Sequence, residues 1–177
     1  MLEDRAPTLG AARLVCVDGP GGSGKTTLAR ALAAATGAPV VHMDDLYDGW
    51  TGLAHVDAQL ATLLVPLAEG RPGHYRRYDW HAGALAETVT VAPDDLTTGL
   101  LVVEGVGSGS ATHTDLATVL VWVEAPRGVR LRRGIERDGG HLREQWLAWQ
   151  DAEDAHHARH RTRERADVLV DGTRPAG

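Results

Sequence analysis

Apolar residues in this chain fall into short continuous runs separated by longer stretches with helical spacing. Leu14 to Val17 is the first run and predicts a strand buried on both faces. A Gly-rich turn follows, and then TTLARALAAATG, whose Ala and Leu spacing predicts a helix ended by Gly37. Pro39 to Met43 predicts a second strand. From His55 to Leu67 the period is helical, with Leu60, Leu63, Leu64 and Leu67 on one face and Pro66 marking a late kink or stop. Leu100 to Val103 and Val119 to Val123 are again continuous rather than alternating, and a helix over about Pro126 to Arg137 follows the second. Gly139-Gly140 breaks that pattern, a polar helix spans roughly Leu142 to Arg163, and Val168 to Val170 predicts a last strand. Between these, Gly70 to Asp95 is mixed: Gly and Pro punctuate it, HYRRYDWHAG clusters bases with aromatics, and Thr88 to Val91 alternates briefly. It reads as an insertion over a site. Strands alternating with helices predict an α/β fold with a parallel sheet of about five strands. No repeat, low-complexity tract or linker divides it, so residues 1–177 are expected to form one domain.

Composition narrows the partners. A formal charge of −6 gives no net pull toward nucleic acid or an anionic membrane, which leaves small molecules as the expected ligands. No run of 18 apolar residues is present, and MLEDRAPTLG lacks the basic start and apolar stretch of a signal peptide, so a cytoplasmic location is expected. The single cysteine, Cys16, lies inside the first apolar run and reads as a small core residue. More telling is the choice of bases: 17 positions are Arg and one, Lys25, is Lys.

That lysine stands in GPGGSGKTT, where Gly19, Gly24, Lys25 and Thr26 meet the spacing G-x-x-x-x-G-K-[ST] between a predicted strand and a predicted helix. The spacing points to a phosphate-binding loop. Gly19, Gly21, Gly22, Ser23 and Gly24 let backbone N–H groups turn inward, the helix start adds its positive end, and the slim Lys25 ammonium reaches the β- and γ-phosphates. The Thr26 hydroxyl is placed for Mg²⁺, with Thr27 next in the helix start beside the α-phosphate. ATP and Mg²⁺ are therefore the expected cofactors, on a three-layer P-loop NTPase fold with a short lid. A GTPase would need an Asn-Lys-x-Asp element to read its base, and this chain has no Asn and no second Lys.

A kinase needs carboxylates at the ends of neighbouring strands, one to take the acceptor proton and one to manage the metal. Asp44 and Asp45 follow the second strand in VVHMDDLY, and Glu104 ends the apolar run LLVVEG, where a carboxylate needs a partner if it is buried. Arg130, Arg133 and Arg137 fall at i, i+3 and i+7, which predicts one helix face carrying three guanidinium groups.

The ordered series GPGGSGKTT, DDLY, YDW, EG, RLRRGIERD and ADVLVDG resembles the uridine/cytidine kinase family from Leu14 to Gly172. The resemblance implies transfer of the γ-phosphoryl group of ATP to a nucleoside-like hydroxyl. It implies Asp44 as the base, Tyr47 as an acceptor-side aromatic, and Tyr78 with Asp79 as the nucleoside-contacting pair; the family's base-contacting histidine is not at its usual spacing, and His81 is the candidate to stand in for it. It also implies Glu104 as the acid after the third strand, and Arg133 and Arg137 as lid arginines. The sequence departs from the family in a short GGHLREQW segment where a longer Arg/Gly lid is expected, and in Gly134, where a further base is expected. Other acceptors (a nucleotide, an antibiotic, a vitamin precursor) and a regulator that binds ATP without transfer remain alternatives. Trp146 and Trp149 read as a packing stripe, and His156, His157 and His160 lack the neighbouring Cys or acids of a metal site.

Overall fold

The computed structural model describes Leu2 and residues 4–174. Along the chain the elements are β1 (Arg13–Asp18), α1 (Lys25–Thr36), β2 (Val40–His42), α2 (Val56–Ala68), β3 (Gly73–Asp79), β4 (Ala84–Val91), β5 (Leu100–Glu104), β6 (Val119–Glu124), α3 (Arg127–Asp138), α4 (Arg143–His160), the short α5 (Thr162–Arg165) and β7 (Val168–Asp171). Five strands form one parallel sheet in the order β2-β5-β1-β6-β7. Alternate residues of a strand face opposite ways. Leu14 and Cys16 of β1 therefore join the core under α2 and α4, while Val15 and Val17 join the core under α1. Both faces are covered, which is why the strand sequences are continuously apolar. The four leucines predicted to share a face of α2 are all buried, each contributing about 1.5–3 kcal/mol. Cys16 is buried, and loss of solvent pushes its thiol up, as suits a core residue.

Two expectations need correction. The mixed stretch from Gly70 to Asp95 is an antiparallel hairpin of β3 and β4, paired from Gly73↔Val91 to Asp79↔Ala84 with an irregularity between Arg76 and Tyr78. Its anchor is Tyr75, buried on the side packed toward α2, while most of β4 is exposed. The polar helix from Leu142 to Arg163 is not continuous: it stops at Arg161, which adopts the left-handed conformation at φ 48°, and α5 restarts it.

Strand order reverses around β1, with β5 on one side and β6 on the other. In open α/β sheets ligands bind beyond the carboxyl ends of strands at such a reversal. The Gly-rich turn leaves from that end of β1, and Glu104 ends β5 beside it in the Val17↔Glu104 register.

Candidate functional site

The turn between β1 and α1 is held from outside. At its entrance Asp18, fully buried, accepts N–H groups from Gly19 (2.6 Å), Gly107 (3.0 Å) and Gly109 (2.8 Å) and bonds His157 Nε2 (3.1 Å). Burial alone would raise this carboxyl, but His157 and the amides outweigh it and leave it below the usual range. Gly21 gives its N–H to Glu153 of α4 (2.7 Å), and Ser23, also buried, gives its own to Pro20 O (3.2 Å). Gly19 and Gly21 thus spend their amides on the protein. Among the described residues the amides of Gly22, Gly24, Lys25, Thr26 and Thr27 have no protein acceptor. They open α1, where backbone N–H groups and the helix dipole favour an anion. The Lys25 ammonium is buried and rests on Pro20 O at 2.9 Å.

At the foot of this loop the Thr26 hydroxyl donates to Glu104 Oε1 (3.0 Å), and His42 Nδ1 lies 2.6 Å from the same oxygen. The His42↔Glu104 strand register makes the second contact possible. Burial pushes the Glu104 carboxyl up, yet His42, Lys25 and Thr26 together bring it below its ordinary value. The hydrogen bond to Glu104 in turn raises His42. Asp44 stands in the short helical turn Met43–Asp45 after β2. Its side chain is open to the cavity it lines but ringed by protein, so desolvation raises its pKa against the pull of Lys25 and Arg137.

Lys25, Thr26, Asp44, Glu104 and Arg137 line one cavity of about 1790 Å³. Single-ligand pockets run to about 1,000 Å³, so this one has room for two reactants. One end holds the loop from Gly21 to Leu28, Arg133, Val123 and residues 169–174. The other holds Asp44, Tyr47, Trp50, Trp80, His81, Trp146 and Trp149, together with Arg137 and Asp138. The Tyr47 hydroxyl is committed to Val106 O (2.7 Å) and its ring packs edge-on to Trp149 at 4.9 Å, so it serves as wall. Trp50 makes edge contacts with Trp80, Trp146 and Trp149, while Trp80 donates its Nε1–H to Asp44 O at 2.9 Å. The two tryptophans of α4 are buried packing residues as their spacing predicts, and they also floor this end.

Not every predicted residue reaches the cavity. Tyr78 lies behind Trp80 with ring centres 5.1 Å apart, and Asp79 accepts the N–H groups of His81 (2.9 Å) and Ala82 (3.0 Å). Neither lines the cavity, because the hairpin turn uses them to build itself; Trp80 and His81 face it instead. The three-arginine face is also corrected. Arg130 turns inward to Ala125 O and buried Glu153, leaving two. Arg133 donates to Gly22 O and Gly172 O, both at 3.1 Å, and joins the two sides of the loop end. Arg137 forms a two-pronged contact with Asp138 and lies over the Trp146 ring at 5.6 Å. The glycine at 134, in place of a further base, has a steric reason. A Cβ there would come within 2.4 Å of the Trp146 ring.

Sequence reasoning passed over Asp18, His42, Trp50, Trp80, Asp138 and Glu153. The signal for Glu153 was present: Trp146, Trp149, Glu153 and His157 share one helical face, so an acid stands in a stripe that has to be buried. The histidines of that helix serve the fold, His157 on Asp18 and His160 Nδ1 near the Ser110 hydroxyl at 3.1 Å, with His156 stacked against His160.

Comparison with known proteins agrees with this architecture. A structure of a possible uridine kinase from Bacillus stearothermophilus superposes with a TM-score of 0.66 at 22% identity, over 90% of this chain and 89% of that one. The chain has the P-loop NTPase fold. A candidate fructose transport system kinase from Silicibacter sp. TM1040 shares the fold at a TM-score of 0.55 and 23% identity, over 89% of each chain. The family model for the ATPase family associated with various cellular activities (AAA) matches residues 15–52, the stretch that carries the P-loop itself. No curated protein matches in sequence. Among the described residues no helix is long and apolar enough to cross a membrane.

Proposed function

We propose that this protein is an ATP-dependent small-molecule kinase that moves the γ-phosphoryl group to a hydroxyl of a ring-bearing, phosphate-free acceptor, with a nucleoside as the first choice. The observation that carries the reading is a single cavity lined by the loop with its unpartnered amides and Lys25, by aromatic rings, and by an Asp44 carboxylate that feels both Lys25 and Arg137. The five free amides and the buried ammonium fit the phosphates of ATP. Thr26 and Glu104 offer Mg²⁺ adjacent hard oxygen donors, and the lowered pKa of Glu104 suits a metal-facing carboxylate. The metal, when bound, would offset charge on the β- and γ-phosphates.

In this reaction Asp44 accepts the acceptor's hydroxyl proton as the oxygen bonds the γ-phosphorus. The bond from that phosphorus to the bridging oxygen breaks, and ADP leaves. A carboxyl lifted toward neutral by desolvation suits that proton transfer. Lys25, Arg133 and Arg137 line the same cavity and would steady the charge on the transferred group.

The acceptor end supports an uncharged ring. Its walls are Trp50, Trp80, Trp146, Trp149 and Tyr47, which suit flat or apolar faces. Its charges are Asp44, Glu104 and Asp138, while Arg137 is already paired with Asp138, so a phosphorylated acceptor would meet net repulsion. Two similar folds bear the names of kinases, one for uridine and one of a fructose transport system, which supports the reaction class without choosing the acceptor.

The test is ADP release from purified protein with Mg-ATP and a panel of nucleosides, nucleoside monophosphates, sugars and sugar phosphates. Release that depends on an unphosphorylated ring alcohol is expected. Tight ATP binding with no acceptor in the panel would favour a regulator, and preference for a monophosphate would overturn the charge argument.

A further inference from the structure

Glu153 is fully buried, and both of its carboxylate oxygens are engaged: Oε1 by Arg130 and Oε2 by the Gly21 amide at 2.7 Å. Two helices press on the loop at this point. A Cβ on Gly21 would lie 3.0 Å from Trp146, 3.2 Å from Glu153 and 3.4 Å from Trp149, and one on Gly22 would lie 2.7 Å from the Arg130 carbonyl oxygen. The glycines at 21 and 22 therefore answer to α3 and α4 as well as to any ligand. A loop that aims five amides inward needs something to hold the amide that does not join them, because a buried N–H without an acceptor is costly. Among the described residues, Glu153 is that acceptor for Gly21. It reaches across 132 positions of sequence to do so.

We propose that Glu153 is a positioning residue for the phosphate loop: from α4 it holds the Gly21 amide outward, so that the amides of Gly22, Gly24, Lys25, Thr26 and Thr27 are set to converge on a nucleotide before it arrives. Arg130 is its counter-ion and keeps the carboxylate seated. Holding the loop in its bound shape in advance removes ordering cost from nucleotide binding. The proposal rests on the reading of this loop as a nucleotide cradle.

Removing either partner alone leaves a buried charge unpaired, so the test changes both. Arg130→Met with Glu153→Gln retains an acceptor for Gly21 and removes the ion pair. Arg130→Met with Glu153→Met removes the pair and the acceptor at similar volume. Affinity for magnesium with the β,γ-methylene analogue of ATP is read by calorimetry, beside the melting temperature of each protein. The Gln pair is expected to bind within about threefold of the parent and the Met pair about tenfold or more weakly, at comparable melting temperatures. Equal affinities in the two pairs, or affinities that merely follow the melting temperature, overturn the proposal.

A second measurement needs no variant. By hydrogen exchange, the Gly21 amide of the parent is expected to be protected without nucleotide, and those of Gly22 and Gly24 only once it is added. Fast exchange at Gly21 in the nucleotide-free protein overturns the proposal by itself. A parent that takes up no nucleotide sinks the function proposed above, whereas a parent that binds while the two pairs behave alike sinks only the role of Glu153.

Discussion

Asp44 is the residue on which the proposed transfer turns, since it lines the cavity with its side chain exposed and feels the pull of both Lys25 and Arg137. Asp44→Asn keeps the size and removes the base. Turnover with an accepted acceptor should fall about 10²–10⁴-fold, while nucleotide affinity by calorimetry should stay within about twofold. Turnover close to the parent's would take Asp44 out of the mechanism. His42 offers a pH test. Its hydrogen bond to Glu104 raises the folded pKa above the ordinary histidine value of 6.5, so the stability it adds is complete below about pH 6.5 and is lost as pH rises through the raised value. Glu104 sets the other limit: its folded pKa is lowered, so its share is present above the ordinary glutamate value of 4.5 and fades as pH falls through the lowered one. The gap in melting temperature between parent and His42→Ala should therefore be widest in mildly acidic buffer and narrow toward alkaline pH. A gap that grows with pH would contradict the pairing.

At the scale of elements, the apolar runs and the glycine spacing announced all five parallel strands and the first helix, most plainly the three central strands, which are covered on both faces and have no polar side to disguise them. The hairpin was harder to read. Tyr75 alone anchors β3 by full burial, and the bases beside it are exposed or half-buried, so the alternation looks like a loop of charged residues. The break after α4 was hidden because it falls on an arginine rather than on Gly or Pro. A side chain in the left-handed region costs about 1–2 kcal/mol, so Arg161→Gly should stabilise the protein by roughly 0.5–1 kcal/mol, less whatever its exposed contact with Glu164 adds. Chemical denaturation measures it, and a loss of stability would mean that the contact outweighs the strain.

Over the whole molecule, the glycine-rich loop was legible from nine consecutive residues, whereas the rest of the candidate site is assembled from distant ones. Gly21 and Glu153, Asp18 and Gly109, and Arg133 and Gly22 meet across 132, 91 and 111 positions, separations that leave no periodic mark in the sequence. The acceptor wall was missed for the same reason, since Trp50, Trp80 and the two tryptophans of α4 come from three separate segments. That convergence has a practical consequence. Four of the five indole rings border the cavity, and the fifth, Trp122, packs against His157 and is not part of the cavity wall. A ligand entering this cavity as proposed would therefore be expected to change the protein's own ultraviolet emission, with no attached dye.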